Sequence, residues 1–472
     1  MKIEEFRRYA HELVDWMAKY LENIDSYPVM SQVQPKEIIN QLPNDPPQES
    51  QRFEDIITDF DKIILPGITH WQHPSFFAYF QANSSPPSIL AEMLTATIGA
   101  QCMIWQTSPA AAELEERVMQ WLGKMVGLPS TFTGVIQDSA STATLCSILT
   151  AREKASNYQI NEKGMDDKGI FTTYCSQETH SSIEKGIKIA GLGKKYLRKI
   201  PVDEKNAMLP EELEAAIQRD LSNGFYPLCT IATLGTTGST AIDPLRKIGE
   251  ICARYNNWLH VDAALAGTAL LLPEYRWIID GIEYVDTFVF NPHKWMFTNF
   301  DCSAYFVKDP AALIQTFEIL PEYLKTKEED RVNNYRDWSI PLGRRFRALK
   351  LWFVIRHYGV KGLQQKIKYH IQMTQALAKK IEETEDFELL VPVPLNTICF
   401  HYNPSNIKDL DQLNQINATL LERLNRTGKL YITHTKLNGI YTLRLVVGQT
   451  YVEQHHVDSA WKLITDIAVS IA

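Results

Sequence analysis

The sequence predicts an α/β fold: a large, mostly parallel sheet interleaved with helices, preceded by a helical segment and followed by a smaller α+β domain. Three observations predict it. Short β-branched runs alternate with helical stretches through the middle of the chain, the signature of crossover units. A chain of 472 residues, 45% hydrophobic and 22% charged, can bury a large core and lies far from the composition of disordered chains. After Gly343 the pattern changes to long helices followed by short strands.

Charge and cysteine usage narrow the function classes. The formal net charge is −8, from 48 Lys+Arg against 56 Asp+Glu, which argues against a nucleic-acid or anionic-membrane binder. The seven cysteines are scattered, odd in number and without a C-x-x-C, the usage of free thiols in a reducing compartment. The first residues, MKIEEFRRYAHELVDWM, are too charged for a secretory segment, and no long uncharged apolar run occurs. The expectation is a cytoplasmic globular protein, in which the N-x-S/T triplets at Asn83, Asn417 and Asn425 are chance matches.

Taken in order, Phe6, Tyr9, Leu13, Met17 and Tyr20 recur at helical spacing and predict a helix whose aromatic face packs on its own domain or on another subunit. Five prolines between Tyr27 and Pro47 predict a wrapping linker, and a helix follows over Gln51–Ile64, closed by Pro66-Gly67. Helices are predicted over Ala110–Met125, Ala140–Ser156, Ser182–Ala190, Pro210–Leu221 and Pro244–Tyr255. Strands are predicted over Ile170–Tyr174, Leu228–Leu234, Trp258–Asp262, Thr287–Phe290 and Ala304–Val307. Helices over Arg345–His357, Gly362–Glu383, Leu410–Asn425 and Val452–Ile471, with strands over Leu389–Val393, Thr397–Tyr402 and Tyr441–Val446, complete the C-terminal part. The predicted domains are 1–85, 86–345 and 346–472.

Ligands on such sheets sit beyond the carboxyl ends of the strands, so the residues just after each strand are the informative ones. An apolar strand runs into Asn291-Pro292-His293-Lys294-Trp295. A lysine among aromatic neighbours loses hydration and becomes nucleophilic, as a Schiff base to an aldehyde requires; a lysine in a turn is also commonly just solvated. The strand Trp258–Asp262 ends in a carboxylate, which needs a cation or several donors if buried, such as a protonated pyridine nitrogen or a loop to cap. Thr179-His180-Ser181-Ser182 precedes a helix, with the histidine free to stack on a ring or half-buried, and Ser181 or Ser182 as cap. Asp138-Ser139-Ala140-Ser141-Thr142 opens another helix, a start suited to phosphate or an ordinary N-cap.

Together these segments resemble the pyridoxal 5'-phosphate-dependent group II decarboxylases, and within them the aromatic-L-amino-acid decarboxylases. The resemblance rests on THWQHPSFFAYF at 69–80, SPAAAELE at 108–115, THSSIE at 179–184, ATLGTTG at 232–238, WLHVDAALAG at 258–267, FNPHKW at 290–295, NFDCSA at 299–304 and IPLGRRFRALKLWFVIRHYGVKGL at 340–363. It implies the fold type I architecture of pyridoxal-phosphate enzymes, with a seven-stranded sheet carrying helices on both faces. Lys294 is then the Schiff-base lysine, Asp262 the partner of the pyridine nitrogen and His180 the ring-stacking histidine. Ser139 and Ala140 belong to the phosphate cup, with Asn291 and His293 nearby; Ala264 lies beside the cofactor, and Thr236 near its phenolic oxygen or the substrate. Trp71, Tyr79, Phe80 and Ala82 line the substrate pocket, with His180 and Thr236. The family works as a homodimer with sites at the interface, and Ile98–Met103 faces the partner's site. The implied reaction converts tryptophan, tyrosine, phenylalanine or dihydroxyphenylalanine to its amine plus carbon dioxide.

Three positions depart from the family pattern: Asp138 stands where glycine is common, Leu265 where animal members often carry an aromatic, and Ala82 where some carry serine or threonine. An acid aimed at phosphate would repel it, so Asp138 is expected to turn away or cap the helix. The charged stretch PEYLKTKEEDRVNNYRD at 321–337 reads as a solvated loop, and by resemblance as a lid carrying Tyr323 as proton donor. Relatives that form aldehydes with oxygen typically have phenylalanine there, so Tyr323 favours simple decarboxylation over aromatic acetaldehyde synthesis. A decayed, non-catalytic relative would have lost Lys294, Asp262 or His180, and all three are present. A lone Gly191-Leu192-Gly193 is a plain turn, and the paired histidines His70/His73 and His455/His456 lack metal-site company.

Overall fold

The computed structural model describes residues 1–165, 169–319 and 331–471. The chain forms two compact units: Ala82–Thr374 with Val391–Thr397, and Met1–Gln81 with Gln375–Leu390 and Ile398–Ala472. Among the described residues no helix is long and apolar enough to cross a membrane. All seven cysteines are free and buried.

The larger unit is built on seven strands: β1 Thr133–Gln137, β2 Phe171–Ser176, β3 Leu197–Ile200, β4 Tyr226–Thr233, β5 Trp258–Asp262, β6 Thr287–Phe290 and β7 Ser303–Val307. Their order is β1-β7-β6-β5-β4-β2-β3. β7 pairs antiparallel with both neighbours and the other pairings are parallel, so β7 alone is reversed. The central strands β5 and β6 are buried at every position, as strands covered on both faces must be. The helix Ala140–Ala155 supplies Leu145, Ile148 and Ala151 to one apolar cluster with Phe171, Ile183 and Ile231, and Ala143 and Cys146 to another with Val289, Tyr305 and Leu313.

In this sheet sequence reasoning missed β1 and β3, its two edges, and in the smaller unit it missed the strand Thr433–Leu437. Thr-Gly-Val-Ile-Gln and Leu-Arg-Lys-Ile hold only two large apolar residues each, too few to show as an apolar run; β3 is partly exposed, whereas β1 is buried and its polar groups are hydrogen-bonded. The helix Pro86–Ile98, which opens on two prolines, was not predicted. At the first helical positions proline is tolerated, since those N–H groups have no intrahelical partner. The helices predicted on either side of residues 358–361 are two helices within Arg347–Glu382, parted where Gly359 takes φ 64° and ψ 167°.

The edge at β3 is tied down by charge. Asp220, on the helix Pro210–Ser222, accepts Nη2 of Arg198 at 2.7 Å and the hydroxyl of Tyr174 at 2.8 Å. Asp220→Ala leaves the buried Tyr174 hydroxyl without this acceptor and the partly exposed Arg198 without its partner, so it should lower stability by about 1–2 kcal/mol. A urea midpoint unchanged from the parent would contradict that.

Three histidines are buried in this unit. His260 lies between the hydroxyls of Thr144 and Thr287, His370 accepts the indole N–H of Trp295, and His293 accepts the amide of Cys302. Burial pushes His260 down to about 4 and His370 and His293 down to about 3, from an ordinary value of 6.5. Below pH 6.5 the unfolded chain therefore takes up protons that the folded chain refuses, and stability falls as pH drops toward 4. Asp243, pushed up to about 7 by burial, acts in the opposite direction between pH 7 and 3.8, one group against three. The urea midpoint at pH 5 is expected below that at pH 7.

The smaller unit holds a second sheet, with β8 Phe387–Leu389, β9 Thr397–Tyr402, β10 Thr433–Leu437 and β11 Ile440–Val446 in the order β10-β11-β9-β8. Asn417 is buried there and bonds the amide and carbonyl of Tyr402, which accounts for it without any modification.

Candidate active site

Five of the parallel strands deliver the predicted residues from their carboxyl ends: Ser139 and Ala140 after β1, His180 after β2, Thr236 after β4, Asp262 and Ala264 at β5, and Asn291, His293 and Lys294 after β6. Parallel strands present their carboxyl ends on one edge, so topology alone gathers residues that lie up to 155 positions apart (Ser139 to Lys294).

Asp262 is buried at 6% exposure, and one of its oxygens accepts the amide of Ala264 at 3.0 Å. Among the described residues no lysine, arginine or histidine forms an ion pair with it. His180 lies within the electrostatic reach of both Asp262 and Lys294. Desolvation lowers the pKa of His180; Asp262 opposes this and Lys294 adds to it. The capping expected of Ser181 or Ser182 falls instead to the imidazole: Nδ1 of His180 accepts the amide of Ser182 at 3.2 Å and lies 2.8 Å from its hydroxyl. With Nδ1 accepting, the neutral ring carries its proton on Nε2.

Lys294 is half-buried in the short helix Pro292–Trp295. The turn is clamped from below and from the side. Trp295 is buried and donates to His370 at 3.0 Å. Asn83 donates its amide to the carbonyl of His293 at 3.1 Å and its side chain to the carbonyl of Lys294. Asn291 accepts the hydroxyl of Ser303 at 2.6 Å and donates its own amide to Ala264. Sequence reasoning missed Asn83, reading it only as a chance triplet; nothing in its local pattern marks a partner 211 positions away.

At the phosphate end the correction concerns Asp138. The helix Ala140–Ala155 is capped by Ser139, whose hydroxyl oxygen accepts the amide of Thr142 at 3.2 Å. A carboxylate oxygen of Asp138 accepts from the same hydroxyl at 3.4 Å, and the charge of Asp138 is felt by Arg347, which also pairs with Asp301 at 2.8 Å. With Ser139 as the cap, the first-turn amides of Ala140 and Ser141 remain as donors. Thr236 is fully buried; its oxygen accepts the amide of Ala241 at 3.1 Å and lies 3.1 Å from the hydroxyl of Ser239, which closes its own turn.

The remaining predicted residues fall in the smaller unit, at the start of the larger one, or outside the described residues. Trp71, Tyr79 and Phe80 are in the smaller unit. There Trp71 stacks on Tyr79 at 5.8 Å, Tyr79 lies 3.1 Å from the hydroxyl of Tyr431, and the Arg444 guanidinium sits 4.6 Å above Phe80. Ala82 opens the larger unit and is half-buried. Tyr323 lies outside the described residues.

This donor set fits pyridoxal 5'-phosphate at both ends: helix-start amides suit a phosphate, and a buried carboxylate without a protein cation suits a protonated ring nitrogen. Comparison with known proteins agrees. Residues 35–403 match the pyridoxal-dependent decarboxylase conserved domain. The chain is 42% identical to tyrosine decarboxylase 4 of Petroselinum crispum, over 98% of this chain and 93% of that one. It superposes on tryptophan decarboxylase of Catharanthus roseus, solved with L-tryptophan, with a TM-score of 0.94 at 38% identity, covering 100% and 99% of the two chains. A 4-hydroxyphenylacetaldehyde synthase of Rhodiola rosea superposes with a TM-score of 0.93 at 34% identity, with the same coverage. By sequence, fold and the chemistry of its donor set, the chain belongs to the pyridoxal-dependent decarboxylases.

Proposed function

We propose that this enzyme decarboxylates an aromatic L-amino acid to the corresponding arylalkylamine and carbon dioxide, using Lys294, Asp262, His180 and Tyr323. The observation that supports it most is that Lys294, Asp262 and His180 all stand at the carboxyl ends of mutually parallel strands, β6, β5 and β2, of one sheet. When bound, pyridoxal 5'-phosphate supplies an aldehyde that holds the amino acid and a cationic ring that takes up the electron pair left by carbon dioxide.

The chain's own residues do the rest. Ser139 and the amides of Ala140 and Ser141 fix the phosphate, with Asn291 and His293 bracing the turn beside it. Asp262, held by the Ala264 amide, keeps the ring nitrogen protonated; each pKa unit it confers is about 1.4 kcal/mol of preference for the charged form. His180, oriented by Ser182, presents a flat neutral ring for stacking, and Thr236 lies near the reacting end. Lys294 is the amine that would hold the cofactor's aldehyde when no substrate is bound. Tyr323 delivers a proton to the α-carbon. Trp71, Tyr79, Phe80 and Ala82 select an aromatic side chain. The enzyme acts as a cytoplasmic homodimer, with Ile98–Met103 facing the partner's site.

Likeness to the Rhodiola rosea synthase supports a second reading, in which the same substrates give aromatic acetaldehydes. The test is product analysis on tryptophan, tyrosine, phenylalanine and dihydroxyphenylalanine. Amine equal to the carbon dioxide released, without peroxide, is the expected result. Aldehyde with peroxide would select the second reading, and no carbon dioxide from any substrate would overturn both.

A further inference from the structure

Two segments that carry the family resemblance have no part in the chemistry above: the one ending in Glu115 and the one containing Arg344. The structure brings their charged ends together. Glu115 lies on the helix Pro109–Val126 and Arg344 precedes the helix Arg347–Glu382; they are 2% and 5% exposed and form an ion pair at 2.7 Å. Both grip one residue of the edge strand β1. The amide of Ile136 donates to Oε1 of Glu115 at 2.8 Å, and Nη2 of Arg344 donates to the carbonyl of Ile136 at 2.7 Å.

β1 has a sheet neighbour, β7, on only one side. On the other side its backbone groups need partners if buried. Solvent or a loop would satisfy them without fixing the strand. Here a buried pair of opposite charges does so, and the pair is itself fastened. The guanidinium lies 4.7 Å over the ring of Tyr335, the amide of Arg344 donates to Gln101 at 2.7 Å, and its carbonyl accepts the amide of Cys102 at 3.0 Å. Gln137, the next residue along, donates to the carbonyl of Trp338 at 3.2 Å. Two residues later the chain reaches Ser139 and the start of the helix Ala140–Ala155.

We propose that Glu115 and Arg344 are positioning residues for the phosphate-binding turn. They lock the N–H and C=O of Ile136, and so set where the amides of Ala140 and Ser141 point. The inference rests on Ser139 and Ala140 being the phosphate site. It gives the buried charge pair a task beyond satisfying the N–H and C=O of Ile136.

The test uses the full chain stripped of cofactor and titrated with pyridoxal 5'-phosphate and with pyridoxal, which lacks the phosphate, followed by absorbance. The variants are Glu115→Gln, Arg344→Lys and the double charge-free Glu115→Gln/Arg344→Gln, which leaves no lone buried charge if a single variant fails to fold. The expected result is that the preference for the phosphorylated form falls by about tenfold, the scale on which misplacement of a binding group acts. Pyridoxal binding and the KM for amino acid at saturating cofactor should stay within about twofold of the parent, since the pair touches neither. A merely structural role would lower the melting temperature of the cofactor-free protein and leave the preference intact, and that overturns the proposal. Ala140→Asp separates the two premises. If it keeps the phosphate preference, the phosphate-site reading fails and the inference with it. If it loses the preference while the Glu115 and Arg344 variants keep it, the positioning role alone fails.

Discussion

Lys294→Ala is expected to reduce turnover by at least about 10³-fold, the scale on which loss of a covalent catalytic group acts. The lysine side chain projects from a turn whose geometry is fixed by other groups: Asn83 on its backbone carbonyl, Asn291 accepting its amide at 2.9 Å, and Trp295 anchored to His370. None of these contacts uses the amine. The variant should therefore fold, show a parent-like circular dichroism spectrum, and still bind cofactor through the phosphate end. What it should lose is the adduct that borohydride traps in the peptide containing residue 294. A variant that kept parent-like turnover, or a parent protein that gave no trapped peptide at Lys294, would refute the assignment.

Asp262→Asn should be nearly as severe for a different reason. Asparagine keeps an oxygen for the Ala264 amide and fits the buried end of β5, so the loop should hold. Only the charge is lost. Removing one member of a buried charge pair costs about 2–5 kcal/mol, which converts to roughly 30- to 5,000-fold in rate if the charge acts on the reacting ring. The accompanying signature is optical: bound cofactor should lose the protonated-ring absorbance at a lower pH than in the parent. Loss of activity without a change in that titration would make Asp262 a structural residue of the loop.

Much of the larger unit was legible because its chemistry is local. Trp258–Asp262 and Thr287–Phe290 are strands with the predicted bounds, since buried parallel strands are unbroken apolar runs that end where the chain turns out to ligand. The helix Ala140–Ala155 announced itself through Ser139. The edges β1 and β3 were silent, because each holds only two large apolar residues and lacks that unbroken run. Capping was misread at His180, where an imidazole replaces the expected serine; at Asp138, expected either to turn away or to cap, the cap is the next residue. In both cases the local sequence offers two acceptors within a few residues, and only the backbone path chooses between them.

The sequence by itself determined the family, and it singled out Lys294, Asp262 and His180 as candidates because each sits in a short, recognisable segment at one strand end. Tertiary structure alone decided which distant groups hold those segments still. Asn83 on the lysine turn, and the Glu115–Arg344 pair on Ile136, act across 211 and 229 positions of chain. A hydrogen bond between such positions depends on where the strands and helices bring them, and leaves no periodicity or spacing in the sequence to read.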